Sequence, residues 1–229
     1  QKRFLADAAH QLKTPLAGLR MQADLAQRSD ANAQDLKQSL KQIGRASMRA
    51  THTVNQLLAL ARAESSGATL AAQPCDLTLL TTEVVKDSLP RAMDMHIDLG
   101  FEGPEPEQAM VLGNPTLLKE MVRNLIDNAL NYTPSNAAHP GVVTARVTGD
   151  AQHGWRLEVE DSGPGIPASE RERVFEPFYR ALGNEADGSG LGLPIVLEIA
   201  QKHHAKVTLS DTAPGQQPPG AKFMVQFSV

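Results

Sequence analysis

Apolar positions along the first 64 residues recur with a heptad spacing. Apolar or small side chains stand at Leu5, Ala9, Leu12, Leu16, Leu19, Ala23 and Ala26. The steps alternate between four and three, which predicts a helix with a coiled-coil seam. A polar break follows at Ser29-Asp30-Ala31-Asn32. The pattern then resumes at Leu36, Leu40, Ile43, Ser47, Ala50, Val54, Leu57 and Ala61. Each helix would be about 40 Å long at 1.5 Å per residue. A lone hairpin of this kind buries only a narrow stripe of each helix. Two hairpins side by side make a four-helix bundle, so the pattern predicts a homodimer.

Residues 65–75 are rich in Ser, Gly, Ala and Pro and read as a linker. Beyond them the texture becomes mixed. Residues 76–89 read as helix, His96 to Phe101 as a strand and Ala109 to Leu112 as a short second strand. Asn114-Pro115 is a helix start, with Asn as cap and Pro at the first helical position. That helix should run to about Tyr132. Val142 to Val147 and Trp155 to Glu160 read as two strands joined by a polar turn. Residues 162–189 read as a long loop, the kind that is often functional. A helix over Leu191 to His203 and strands near 207–210 and 223–227 complete the chain. The expected domains are a helical hairpin over 1–64, a linker over 65–75 and an α+β sandwich over 76–229. The sandwich would have one mixed sheet with helices on one face.

Composition narrows the function. Aromatic residues make up only 4% of the 229, so the core must be largely aliphatic. A net charge of -4 gives no sign of a nucleic-acid surface. One cysteine, Cys75, excludes an intramolecular disulfide framework and fits a reducing compartment. It reads as a small buried or linker residue rather than a nucleophile. No apolar run approaches the roughly 18 residues of a membrane span, and no signal peptide is visible. No membrane contact is therefore expected of this stretch. It starts Gln1-Lys2-Arg3 without Met and reads as part of a longer protein.

Four local constellations could carry chemistry. His10 falls at heptad position b, on the solvent side of the first helix. Thr14 lies one turn along the same face, and Pro15 loosens that turn. A neutral imidazole is a competent nucleophile near pH 7, although an isolated surface histidine would look the same. Asn124, Asn128 and Tyr132 are spaced by four on one helix face. Their amide oxygens suit Mg²⁺ together with waters and phosphates, or they form a plain polar surface. In Asp161-Ser162-Gly163-Pro164-Gly165-Ile166, Asp161 ends a strand. Its carboxylate could accept a hydrogen bond from the exocyclic amine of a base such as adenine, or the segment is an ordinary turn. In Gly188-Ser189-Gly190-Leu191-Gly192-Leu193, glycines open directly into a helix whose free N–H groups can hold phosphate oxygens. The spacing is neither a Rossmann fingerprint nor a P-loop. Between the last two lies Phe175-Glu176-Pro177-Phe178, whose rings could anchor a loop, followed by Arg180, which could reach a phosphate.

Taken in order, five segments resemble the motifs of bacterial sensor histidine kinases. His10-Gln11-Leu12-Lys13-Thr14-Pro15 resembles the H box and Asn124-Leu125-Ile126-Asp127-Asn128-Ala129 the N box. Asp161 to Gly165 resembles the first glycine box, Phe175 to Phe178 the F box and Gly188 to Leu193 the second glycine box. The resemblance covers essentially the whole chain. It implies a phosphotransfer and dimerisation hairpin (HisKA type) followed by an ATP-binding domain of the Bergerat fold. His10 would receive the γ-phosphoryl group of ATP and pass it to an aspartate of a response regulator. Thr14 would position water for dephosphorylation of that partner. Asn128 would ligate Mg²⁺, with Asn124 nearby. Tyr132 would lie against adenine, whose amine would bond to Asp161. Residues 167–187 would form a lid over ATP. The family further implies a cytoplasmic location, with the parent an inner-membrane sensor.

Two positions depart from the family pattern. Gln11 stands where the residue after the histidine is usually acidic, which leaves the general base open. Asn131 stands where a basic residue often precedes the tyrosine, so Arg180 or Lys119 would supply charge instead. Two other readings remain. One is an ATP hydrolase related to DNA gyrase, mismatch-repair and chaperone ATPases. Those enzymes place a Glu where this chain has Asn124. The other is a dimeric scaffold that binds nucleotide only as a signal.

Overall fold

A computed structural model describes residues 13, 16–28, 32–65, 72–180 and 189–228. The chain divides after Ala59 into two compact units. The expected phosphoacceptor His10, together with Gln11, Thr14 and Gly188, lies outside the described residues.

Residues 16–26 form helix α1 and Ala33–Ser65 form α2, most of which belongs to the first unit. The polar break supplies the start of α2. The side chain of Asn32 accepts from the N–H groups of Gln34 and Asp35, both at 2.9 Å. Asp35 in turn accepts from the N–H of Asn32 at 3.2 Å, a reciprocal cap with Asp in the role usually filled by Glu. The buried positions of α2 differ from the expected seam. Ser39, Ala46 and Thr53, seven residues apart, are buried within the single chain. Leu36, Leu40 and Val54 of the seam stay exposed, as do Leu16 and Leu25 of α1. Small side chains therefore pack inside one chain, while the larger apolar stripe faces outward.

The first strand of the second unit is one that the sequence did not announce. β1 (Gln73–Asp76) occupies the end of the expected linker and pairs antiparallel with β3 (Met110–Gly113) in a two-stranded ribbon. Pro74 in β1 masks the strand signal, and the ribbon makes it an edge, where Pro is tolerated. Helix α3 (Leu77–Asp94) is capped by Asp76, which accepts from Leu79 N–H, and continues past Pro90. β2 (Ile97–Glu102) pairs parallel with β4 (Gly141–Asp150). β4 then pairs antiparallel with β5 (Gly154–Asp161). β7 (Lys222–Gln226) lies between β5 and β6 (Lys206–Ser210), giving the order β2-β4-β5-β7-β6.

Helices α3, α4 (Pro115–Tyr132) and α5 (Gly192–Lys202) supply the other layer. Leu118, Met121 and Leu125 of α4 and Ile195 and Ile199 of α5 are fully buried. So are Val143, Ala145 and Leu157 of the sheet. The core is aliphatic apart from Phe223 and Phe227, as the low aromatic content requires. α3 and α4 run parallel and are laced by Glu83–Lys119, Asp87–Arg123 and Arg91–Asp127. These pairs are largely exposed and worth about 0–1 kcal/mol each. The opposite face of the sheet carries a charge network. There Arg146 pairs with Glu102 and Glu160, and Lys222 with Glu158 and Glu160.

Candidate functional site

Asn114 fixes where α4 begins, because its side chain accepts from Leu117 N–H at 3.1 Å. That start sets the phase of the helix and places Asn124, Asn128 and Tyr132 on one face. Asn124 is 4% exposed. Its amide donates to the backbone oxygen of Glu120 at 2.8 Å and to the Glu120 carboxylate at 3.1 Å. Asn128 and Tyr132 are half-buried. Glu120 thus extends the polar stripe one turn toward the N-terminus. The sequence signal for it was the same four-residue spacing, obscured because Glu120 follows Lys119 and reads like an ordinary charged surface pair.

The position that lacks a basic side chain is not without positive charge. Arg91 reaches across from α3, donating to Asp127 at 2.5 Å and to Asn131 at 2.6 Å. Lys119, one expected alternative, is paired with Glu83. Arg180, the other, is exposed at the edge of the described residues. Nothing in the linear sequence placed Arg91 beside Asn131, which is forty residues away.

Asp161 ends β5 and is 5% exposed. One carboxylate oxygen, Oδ1, accepts from Gly163 N–H at 2.8 Å and Ala221 N–H at 3.1 Å. Burial pushes the Asp161 carboxyl above the usual carboxylate range, against the smaller opposing effect of those two N–H groups. No hydrogen bond to the second oxygen, Oδ2, is found among the described residues. It remains an acceptor for a donor arriving in the cleft. Gly163 is a glycine because of close approach. A Cβ there would lie 2.6 Å from the backbone oxygen of Tyr132 and 2.9 Å from Asp161 Oδ1. The end of α4 and the turn after β5 are therefore in direct contact. Gly165 adopts φ +72, and a Cβ would strike Pro219 and Gly220. Ile166 is half-buried, and its carbonyl accepts from Arg171, which also holds Asp211.

The expected long loop is partly ordered by two short 3₁₀ turns, Ala168–Glu170 and Arg173–Phe175. Phe175 packs edge-on against Phe223 with ring centroids 6.4 Å apart, and Arg173 sits over the ring of Tyr179. Phe178 N–H donates to the carbonyl of Gly190 at 2.8 Å. This bond ties together the two ends of the segment 179–189. Gly190 takes φ +71, and a Cβ would lie 2.8 Å from Phe178 Cα. Ser189 accepts from Leu191 N–H at 3.1 Å at the entry to α5. Leu191 is fully buried and Leu193 nearly so. They anchor the start of the helix on either side of Gly192.

The structure thus joins the described candidates in two clusters. The backbone of Tyr132 and the Asp161 carboxylate both crowd Gly163, and Phe178 meets Gly190. Among the described residues, no three His, Cys, Asp or Glu side chains are grouped to hold a metal ion. Asn124 and Asn128 offer neutral carboxamides on the α4 face, with the Glu120 carboxylate one turn before them. Such a set fits Mg²⁺ that brings most of its ligands as water and phosphate.

Comparison with known proteins bears on both units. Residues 1–66 match the family model of the His Kinase A (phospho-acceptor) domain. Residues 113–229 match the model described as histidine kinase-, DNA gyrase B-, and HSP90-like ATPase. The chain is 36% identical to the sensor protein kinase PmrB of Pseudomonas aeruginosa over 217 residues, 94% of this chain and 44% of that protein. It is 36% identical over 234 residues to the signal transduction histidine-protein kinase/phosphatase MprB of Mycobacterium sp. (strain KMS), 99% of this chain and 43% of that protein. The chain therefore spans less than half the length of these relatives. A crystal structure of the histidine kinase ThkA in complex with the response regulator protein TrrA shares the fold. Its TM-score is 0.76 at 22% identity, over 99% of this chain and 61% of that one. Two family models in this order, with relatives aligned across nearly the whole chain, establish that it belongs to the sensor histidine kinase family.

Proposed function

We propose that this chain binds Mg-ATP in the domain over 76–229 and phosphorylates His10 in the hairpin over 1–64, with 65–75 as linker. The phosphoryl group then passes to an aspartate of a response regulator, and Thr14 serves the reverse, phosphatase reaction. One observation carries the nucleotide part. Asp161 is buried, has one oxygen held by two backbone N–H groups, and has its second oxygen without a hydrogen bond among the described residues. That oxygen would accept the exocyclic amine of adenine, with Tyr132 against the ring and Gly163, Gly165 and Ile166 beneath it. Phe178, Arg180 and the segment Gly188 to Leu193 would cover the phosphates, and the free N–H groups at the start of α5 would hold their oxygens.

Asn128 would hold Mg²⁺, with Asn124 behind it; the ion would offset phosphate charge during transfer. Asn124 is nearly buried and its amide is engaged by Glu120, so it acts by supporting Asn128. A carboxamide at this position also cannot serve as the water-activating base of a hydrolase, which favours transfer to His10 over hydrolysis. His10 would attack as neutral imidazole, and Gln11 would fix its tautomer rather than take its proton.

The outward stripe of Leu16, Leu25, Leu36, Leu40 and Val54 supports a homodimer through the hairpin. No described helix is long and apolar enough to cross a membrane. We place this part of the protein in the cytoplasm, where ATP and a response regulator are available. The defining experiment is labelling with γ-³²P-ATP. The label should be acid-labile and base-stable, as a phosphoramidate is, and absent from His10→Ala. Label of another stability, or label retained by that variant, would overturn the assignment.

A further inference from the structure

His203 caps the end of α5, and its imidazole is satisfied on both sides. Nδ1 donates to the carbonyl of Ile199 at 2.7 Å, one turn back on its own helix. Nε2 accepts from the backbone N–H of Asn114 at 3.0 Å. A backbone N–H can only donate and a carbonyl can only accept. The pair of bonds therefore selects one neutral tautomer, with the proton on Nδ1. Gly113 makes room for the ring, since a Cβ there would stand 2.5 Å from its Cδ2.

Asn114 is the N-cap of α4. In a capping box the N–H of that residue is taken by a Glu or Gln three positions on, in the same helix. Here that position is Leu117, which has no acceptor. The acceptor comes instead from the far end of another helix. Because the end of α5 meets the beginning of α4 and the two helices pack along one another, they run in opposite directions. Eleven residues of α5 span about 16 Å. That length brings Gly192, at the start of α5, roughly level with Asn124 on α4. A helix is stiff along its axis, so slip at the His203 end appears undiminished at the Gly192 end. Apolar packing between α4 and α5 resists separation but is less selective about small axial shifts.

We propose that His203 is a positioning residue for nucleotide binding: its imidazole pins the cap of α4 to the end of α5 and so sets where Asn124 and Asn128 stand relative to the glycine segment at the start of α5. This role rests on the reading of the domain as ATP-binding. The chemistry of the side chain provides a selective test. Gln places its Oε1 about where Nε2 lies and keeps an acceptor for Asn114. Asn places its Nδ2 about where Nδ1 lies, keeping the donor to Ile199 but losing the link to α4.

The full chain and the variants His203→Gln and His203→Asn should be titrated with a fluorescent ATP analogue in Mg²⁺. Amide hydrogen exchange at Asn114 and the ¹⁵N resonances of the His203 ring should be followed without nucleotide. The ring should show the Nδ1–H tautomer. His203→Gln should bind within about twofold of the unaltered chain. His203→Asn should bind about three- to tenfold more weakly, the span of one net hydrogen bond, with faster exchange at Asn114 and circular dichroism still native. Equal affinity of the two variants, or an Nε2–H ring, would overturn the proposal. If the unaltered chain fails to bind the analogue while its ring shows the expected tautomer, the ATP-binding reading fails and this role falls with it; the pin itself would stand.

Discussion

Replacing Asp161 with Asn tests nucleotide recognition and folding separately. The side chain is 5% exposed, and its Oδ1 accepts from Gly163 and Ala221. An Asn oxygen can keep both bonds. What changes is the second position, where an acceptor becomes an NH₂ donor. A donor there faces the donor amine of adenine, so one buried bond is lost and two donors are opposed. A buried polar group left unpaired costs about 1–3 kcal/mol, or about 5- to 150-fold in Kd. Titration with a fluorescent ATP analogue in Mg²⁺ reads this directly.

The same substitution should not harm the empty domain. Burial holds the Asp161 carboxyl above its ordinary range. Folding therefore favours the protonated form. Stability from this group is present below the unfolded pKa and is lost as pH rises through the higher folded value. Wherever the carboxyl ionises in the empty domain its charge is held in a buried position, and Asn removes that charge. Thermal melts without nucleotide should find Asp161→Asn at least as stable as the unaltered chain at pH 7, with the difference shrinking toward pH 4. Unchanged ATP affinity would remove Asp161 from the site. A large loss of stability at pH 7 would show that the carboxylate holds the fold rather than the base.

Further expectations follow from packing. Gly163→Ala forces a methyl group to 2.6 Å from the backbone of Tyr132; it should lower stability by about 1–3 kcal/mol and weaken ATP binding, measured by chemical melts and titration. Phe175→Ala removes the edge-on contact with Phe223, worth about 0.5–1.5 kcal/mol beyond area burial; limited proteolysis should cut faster between 167 and 187. Leu40→Glu places a charge on the outward stripe, where Leu40 is 59% exposed in one chain; light scattering at micromolar concentration should show a shift from dimer toward monomer. A fragment over 76–229 should be monomeric and still bind the ATP analogue.

What the sequence made legible was governed by local rules. The start of α4 followed from Asn114-Pro115, because capping and a fixed φ are properties of adjacent residues. The strands flanking the polar turn near residue 150 followed from alternation. What it hid depended on distant partners. β1 is an edge strand containing Pro74, and only its pairing with β3 defines it. Ala221 reaches Asp161 only through its backbone, its N–H donating to the carboxylate and its carbonyl accepting from Asp161 N–H, so its side chain could not advertise it. Arg91 acts on Asn131 from a neighbouring helix.

The seam of the hairpin illustrates the distinction most sharply. Heptad spacing marks a stripe but not which helix will cover it. The larger members, Leu36, Leu40 and Val54, remain exposed in one chain, whereas Ser39, Ala46 and Thr53 are buried. Small side chains let two helices approach closely at little cost in area. Leu and Val offer far more apolar surface, about 1.5–3 kcal/mol for each side chain fully buried. A chain that uses its small residues within its own hairpin and keeps the large ones outward would hold most of its association free energy where a second copy could use it. The inner seam would then specify the hairpin, and the outer stripe would drive dimerisation. Substitutions at Ser39 or Ala46 should therefore disturb helix content in the first unit, and those at Leu36 or Leu40 should change oligomeric state with helix content preserved. Circular dichroism measured beside sedimentation separates the two, and loss of helix content from Leu40→Glu at concentrations where it remains dimeric would reverse this assignment of the faces.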